Sequence, residues 1–159
     1  MATRPSSLQQ AIHQTKPFRS AAHEAVVGLL YTADLIKRRG SKVCADAGIT
    51  GQQYNVLRIL RGAGPDGLPT LDIAERMIEQ TPGITRLIDR IAAQGWVRRD
   101  RSADDRRQVV CRITASGLKL LAGLDAPVAE SDERQMTRLS AAERKQLIAL
   151  LEKVRAADD

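Results

Sequence analysis

Arg86 and Arg90 stand four residues apart, and Arg106 and Arg107 follow side by side. A guanidinium offers two parallel N–H donors, which match O6 and N7 of a guanine in the major groove or two oxygens of a phosphate. Two arginines four apart on a helix share one face. Arginines carried on a narrow β-ribbon can enter a minor groove, where A·T-rich tracts concentrate negative potential. Thr85 adds a hydroxyl for a phosphate and a methyl for a thymine. Pro82 and Gly83 leave a helix N-terminus without bulk, so backbone N–H groups can approach a phosphate closely. The chemistry that Pro82, Gly83, Thr85, Arg86, Arg90, Arg106 and Arg107 suit is the reading of duplex DNA. Asp89 shares their helix face, where its expected role is to pair with Arg86 or with a hairpin arginine and fix its rotamer.

The elements that must position these groups lie between Thr81 and Thr114. Ile84, Leu87, Ile88 and Ile91 recur at helical spacing and predict an amphipathic helix. Thr81 is its expected N-cap, Pro82 its first residue, and Gly95 its left-handed stop. After Gly95 the period changes to two: Val109, Cys111 and Ile113 point one way, Val110 and Arg112 the other. Ser102–Arg107 is then the polar tip of a hairpin. This window holds eight arginines against four aspartates and no lysine, so it carries +4 of the chain's formal +6. The reading is a DNA-reading helix followed by a β-wing.

Bulk properties agree. With 159 residues and 43% apolar content the chain has material for one aliphatic core. Charge +6 and a pI near 9.8 point to a polyanionic partner. Aromatic content of 3% leaves no stacking platform for single strands. No apolar run is long enough to span a membrane, and no signal-peptide core follows Met1, so the expected location is the cytoplasm.

Along the chain, residues 1–17 read as a flexible N-terminal extension with Pro5 and Pro17 as breakers and some helix within Leu8–Gln14. Residues 18–47 read as one long helix, with Val26, Leu29, Leu30, Ala33, Ile36 and Val43 as an apolar seam. A small domain cannot cover that seam alone, so a second copy is expected, related by a two-fold axis. Gly48 ends this helix and Thr50 caps the next, which carries Tyr54, Leu57, Ile59 and Leu60. Residues 62–69 read as a turn-rich connector. Thr70 is the expected cap of a short helix over Leu71–Met77 with Leu71, Ala74 and Met77 inward and Ile73 and Ile78 flanking. This helix and the one after Thr81 make a helix-turn-helix. Thr114 caps a helix bearing Leu118, Leu121, Leu124 and Val128, in which Pro127 is expected to cause a bend or break. Ser140–Glu143 is a capping box opening a last helix with Leu147, Leu150, Leu151 and Val154. The expected fold class is mainly α with a small β-hairpin, a winged helix-turn-helix lobe (48–117) flanked by dimerisation helices (18–47 and 118–159).

Other chemistries find little support. His13 and His23 lack partners at metal spacing, no glycine-rich phosphate loop or nucleophile elbow is present, and no metal or cofactor is expected. Cys44 and Cys111 make no disulfide framework. Cys111 reads as a buried strand residue. Cys44, near Lys37, Arg38, Arg39 and Lys42, is a candidate redox sensor because cations lower a thiol pKa. His23 is a candidate ligand-sensing group. A winged-helix protein–protein adaptor whose basic face meets an acidic partner and a small-molecule-binding enzyme are the alternatives to a DNA-binding regulator.

These residues together resemble the MarR family of bacterial winged-helix regulators. Ile84–Ile91, Gly95-Trp96-Val97, Asp105-Arg106-Arg107 and Arg112–Gly117 fall in register with the family pattern TVTRLVDRLE, GLV, DRR and LTxxG. Ile49–Tyr54 and Leu57 resemble its LTxxQxxxL stretch. The resemblance implies a homodimeric repressor on a pseudo-palindromic duplex, with Thr85, Arg86 and Arg90 as recognition-helix contacts and Arg107 as the wing arginine. It also implies release by an effector such as a small aromatic acid or an oxidant. Oxidant-sensing members commonly carry their cysteine near the start of the first long helix, whereas Cys44 lies near its end.

Overall fold

A computed structural model describes residues 6–80, 82–101 and 108–156, which form two compact units, Met1–Arg39 and Gly40–Asp159. Within the segment expected to be a flexible extension, α1 (Ser7–Ala11) is a capped helix. The Ser6 hydroxyl accepts from the Gln9 N–H, and the Gln9 carboxamide accepts from the Ser6 N–H. Gln9 also donates to the Lys16 carbonyl at 3.0 Å. Leu8 packs where α2 (Ala21–Asp46) has no side chain, at Gly28. The α2 seam is open in a single chain: Val26 and Leu30 are more than half exposed, and Leu29 is exposed too.

The second unit is built around α3 (Gly51–Ala63), which starts at a Thr50–Gln53 capping box and buries Val56, Leu57 and Leu60 completely. These meet Ile73, Leu87, Ile88, Ile91, Val97, Cys111 and Leu121 in one aliphatic core. A smaller cluster joins Cys44, Ile49 and Leu124, with Tyr54 and Trp96 against it.

The sheet has three antiparallel strands in the order β1-β3-β2, one more than the expected hairpin: β1 (Leu68–Pro69), β2 (Val97–Arg101) and β3 (Val109–Ile113). The turn-rich connector ends in β1 because Gly67, at φ 69°, lets the backbone approach β3. A Cβ there would lie 2.3 Å from the Cys111 carbonyl oxygen. Proline is tolerated in β1 because that strand is an edge. The β2–β3 register sets Val97 opposite Ile113 and Arg99 opposite Cys111, and Arg98 opposite Arg112 on the other face.

Two expectations for the short helix are corrected. In α4 (Thr70–Glu75) the cap position is Pro69, and Thr70 lies inside the helix with its hydroxyl 3.8 Å from Cys111 Sγ. The inward residues are Ile73 and Met77, while Leu71 is 74% exposed. Both sets have helical spacing, and contact with α3, α5 and β3 decides between them. Of the bend or break expected at Pro127, the break is corrected, because α6 (Ala115–Met136) runs through it as one helix. Burial of Leu121 and Leu124 before it and of Ser131 after it holds both halves in one helix, against a proline cost of about 3 kcal/mol. Thr114 caps α6, and the Ser140–Glu143 box caps α7 (Ala141–Arg155), as the spacing predicts. Helix α7 buries nothing in a single chain, and Ile148, Leu150 and Val154 are each more than half exposed.

Candidate nucleic-acid interface

The helix that carries Arg86 and Arg90 is α5 (Ile84–Ala93). It is pinned from one side by Leu87, Ile88 and Ile91, all buried, with Ile84 packed against the same core. Pro82, Gly83, Thr85, Arg86, Asp89 and Arg90 are all exposed, so the face expected to carry chemistry does point outward. The start of α5 differs from expectation. Gly83, at φ 82° and ψ 37°, is the N-cap, so Pro82 precedes the helix rather than opening it, and among the described residues no side chain caps the first turn. Thr81 lies outside the described residues. An uncapped N-terminus leaves its N–H groups, and the positive end of the helix dipole, available to an anion.

The other end closes tightly. Gly95, at φ 75°, donates to the Ala92 carbonyl at 2.8 Å, and Trp96 N–H donates to the Ile91 carbonyl at 3.3 Å. These are the two bonds of a Schellman motif, which needs a left-handed residue at Gly95. The Gly95 carbonyl then accepts from the Thr114 and Ser116 hydroxyls at 2.7 and 2.8 Å. The end of α5, the ribbon and the start of α6 are therefore joined at one junction.

The arginines of the window sort by partner. Asp89 on α5 pairs with Arg99 on β2, which ties helix to wing. Asp100 accepts from Arg98 at 3.0 Å and from Arg112 at 3.1 Å, and Arg112 also donates to the Pro65 carbonyl at 3.2 Å. Three arginines are thus engaged in holding the wing. Among the described residues, Arg86 and Arg90 meet no carboxylate and remain available for an external anion. Arg106 and Arg107 lie outside the described residues. The structural roles of Arg98, Asp100 and Arg112 are not among the sequence expectations. The period-two alternation already put Arg98, Asp100 and Arg112 on one face, but their pairing depends on register.

The sensing candidates fare differently. Cys44 is 5% exposed, and burial raises its thiol pKa, outweighing any lowering by nearby cations. Cys111 is fully buried and its pKa is raised for the same reason. Both thiols are protonated at neutral pH, the opposite of a poised sensor. The His23 ring stacks edge-on against Phe18 at 5.5 Å, within the first unit. Among the described residues no cluster of three metal-ligating side chains occurs, and no helix is long and apolar enough to cross a membrane.

A short helix, a turn, a second helix with a bare basic face, and an adjoining antiparallel ribbon define a winged helix-turn-helix protein. Residues 49–109 match the MarR family model. The chain belongs to the MarR family of winged-helix transcriptional regulators, and its relatives are regulators rather than enzymes. It is 31% identical over 107 residues to the transcriptional regulator HosA of Escherichia coli O157:H7, spanning 67% of this chain and 77% of HosA. The match spans less of other curated relatives, 63% of a Thauera aromatica regulatory protein and 44% of the Bacillus subtilis regulator YfiV. Among solved structures, a MarR transcription factor from Planctomyces limnophilus is 42% identical, with a TM-score of 0.66 over 86% of this chain and 98% of its own. The fold is shared with a cysteine-to-serine mutant of E. coli MarR complexed with operator DNA (24% identity, TM-score 0.73, 79% and 89% coverage). It is shared too with PcaV of Streptomyces coelicolor in complex with its natural ligand (22%, 0.75, 91% and 100%).

Proposed function

We propose that the chain is a homodimeric, sequence-specific duplex-DNA-binding repressor in the cytoplasm, released from a pseudo-palindromic operator by a small-molecule effector. The observation that carries this reading is the exposed, uncapped start of α5, with Arg86 and Arg90 unpaired among the described residues while neighbouring arginines are neutralised. Pro82, Gly83 and Thr85 let the backbone come close to phosphate, Arg86 and Arg90 reach a base edge or phosphate, and Arg106 and Arg107 extend the contact from the wing. Asp89, through Arg99, fixes how helix and ribbon face the duplex together. The E. coli MarR complex supports DNA as the partner of this fold.

Assembly follows from apolar surface. Val26, Leu29 and Leu30 on α2, and Ile148, Leu150 and Val154 on α7, stay uncovered in a single chain. A two-fold axis covers such faces and repeats the reading helix, which matches a palindromic site with half-sites about 34–36 Å apart. An effector works only by binding the DNA-compatible and DNA-incompatible arrangements unequally. PcaV, with its bound ligand, supports a small molecule in that role, and an aromatic acid is the class to try first. Selection of bound fragments from random duplex DNA, with and without aromatic acids, tests the reading. Enrichment of an inverted repeat that an acid abolishes is expected. Recovery of unrelated fragments at equal affinity would remove sequence-specific binding.

A further inference from the structure

We infer that Arg61 and Asp125 are positioning residues that latch a soft point in α6 and so set the orientation of the DNA-binding lobe on its helical arm. Three observations meet at this place. First, Arg61, in the last turn of α3, grips Asp125 of α6 with both terminal nitrogens, each 2.9 Å from a carboxylate oxygen. Second, Asp125 lies between Gly123 and Pro127, which are one hydrogen-bond step apart in the helix. Pro127 has no N–H to give the Gly123 carbonyl, and Gly123 is the most permissive residue in backbone conformation, so the helix is weakest across this turn. Packing does not require the glycine, since a Cβ built there meets nothing within 4 Å. Third, the soft turn falls at the edge of the lobe. Leu121 belongs to the main core and Leu124 to the small cluster with Cys44 and Ile49, Val128 packs partly buried against that cluster, and farther along α6 only Ser131 is buried.

The bidentate pair ties the end of α3 to the middle of this turn and so fixes the turn against the lobe. Arg61 and Asp125 keep 36% and 51% of their side-chain surface exposed, and a pair that wet contributes little to stability. Two parallel bonds fix an angle far better than they hold a fold together. The latch therefore acts on geometry: with it closed, the lobe and the far half of α6 move as one piece, and with it cut they swing about residues 123–127. In the proposed dimer that swing changes the separation of the two α5 helices. This consequence rests on the DNA-binding reading; the hinge itself does not.

The test is a distance measurement in the full chain. Spin labels go on Gln94→Cys, at the exposed end of α5, and Asp132→Cys, on the exposed far half of α6, with labelled chain diluted in unlabelled chain. Arg61→Gln and Asp125→Asn should each broaden the pulsed-dipolar distance distribution while leaving helix content unchanged. The charge swap Arg61→Asp with Asp125→Arg should restore a narrow distribution. Stiffening α6 by Gly123→Ala with Pro127→Ala should make the latch substitutions silent. An unchanged distribution in both latch variants, or broadening that persists in the stiffened background, overturns the proposal. Operator titrations of the same variants should show about 5- to 10-fold weaker binding on cutting the latch, the low end of coupling between sites. If distances respond and no variant binds duplex, the hinge stands and the DNA reading falls.

Discussion

Replacing Gly117 by alanine should destabilise the fold, although helix propensity alone says the opposite. Gly117 lies in the first turn of α6, where alanine would gain about 0.5–1 kcal/mol from a less flexible unfolded chain. Its added Cβ, however, would sit 2.4 Å from the Trp96 carbonyl oxygen and 2.8 Å from Ile113 Cγ1. The carbonyl cannot retreat alone, because Thr114 N–H holds it at 3.0 Å. Nor can the helix start move freely, because the Thr114 hydroxyl accepts from Gly117 N–H at 3.2 Å and donates to the Gly95 carbonyl. Overpacking of this kind costs typically about 1–3 kcal/mol, and the rigid neighbour places it in the upper half. The net loss is about 1–2 kcal/mol, which lowers Tm by roughly 2–8 °C at 2–4 °C per kcal/mol. Gly123→Ala, six residues on and facing open space, is the control and should raise Tm by a few degrees. Thermal unfolding followed by circular dichroism, at one fixed protein concentration so that assembly is held constant, reads both. Gly117→Ala melting at or above the parent temperature would mean that the junction has room the distances deny.

Other outcomes follow from the same geometry. Ser140→Ala removes the hydroxyl that accepts from the Glu143 N–H and donates to its carboxylate, leaving only the backbone half of the α7 capping box, and should cost about 0.5–2 kcal/mol in a denaturant titration. On acidification, Asp125, held below its ordinary 3.8 mainly by the Arg61 hydrogen bond, and Glu143, held below 4.5 by the Ser140 backbone and hydroxyl, both lose stabilising charge. A lowered carboxylate pKa contributes fully above the ordinary value and is lost as pH falls through the folded one, so stability should drop below about pH 4.5, by a small amount because both groups are solvent-exposed. Asp125→Asn and Glu143→Gln should flatten that drop. Cys44 and Cys111 should react with a thiol reagent only at the rate of opening or unfolding, and fast labelling of Cys44 in the native protein would contradict its burial.

What the sequence made legible was whatever repeats with a period or stops with a distinctive residue. The α5 stripe and its exposed basic face, Gly95 as a left-handed stop, and the Thr50, Thr114 and Ser140 caps needed only local chemistry. What stayed hidden depended on contacts between distant residues. Strand β1 is two residues in a Gly/Pro run, too short to alternate, and exists because Gly67 fits under Cys111. The inward face of α4 was ambiguous because Leu71 and Ile73 both suit a helical stripe, and only α3 and the sheet choose Ile73. Pro127 is a breaker by local rules, and α6 is held through it by packing on both sides. The cationic neighbours of Cys44 in sequence predict a lowered thiol pKa, whereas burial raises it. The Asp89–Arg99 pairing fell within what the sequence offered, since Asp89 had to meet an arginine of the helix or the wing.

Whether the exposed arginines of α5, which meet no carboxylate among the described residues, and those of the wing bind duplex DNA is decided by operator affinity against salt concentration. The proteins to compare are the parent chain, Arg86→Ala, Arg90→Ala and Arg107→Ala. The parent should show a steep linear fall of log K with log salt, and each arginine that holds a phosphate should lower the slope by about 0.9 when removed. An arginine that reads a base should instead cost about 1–3 kcal/mol at one base pair and relax specificity there. Parent and variants binding duplex with the same affinity and the same slope would take these arginines off the DNA.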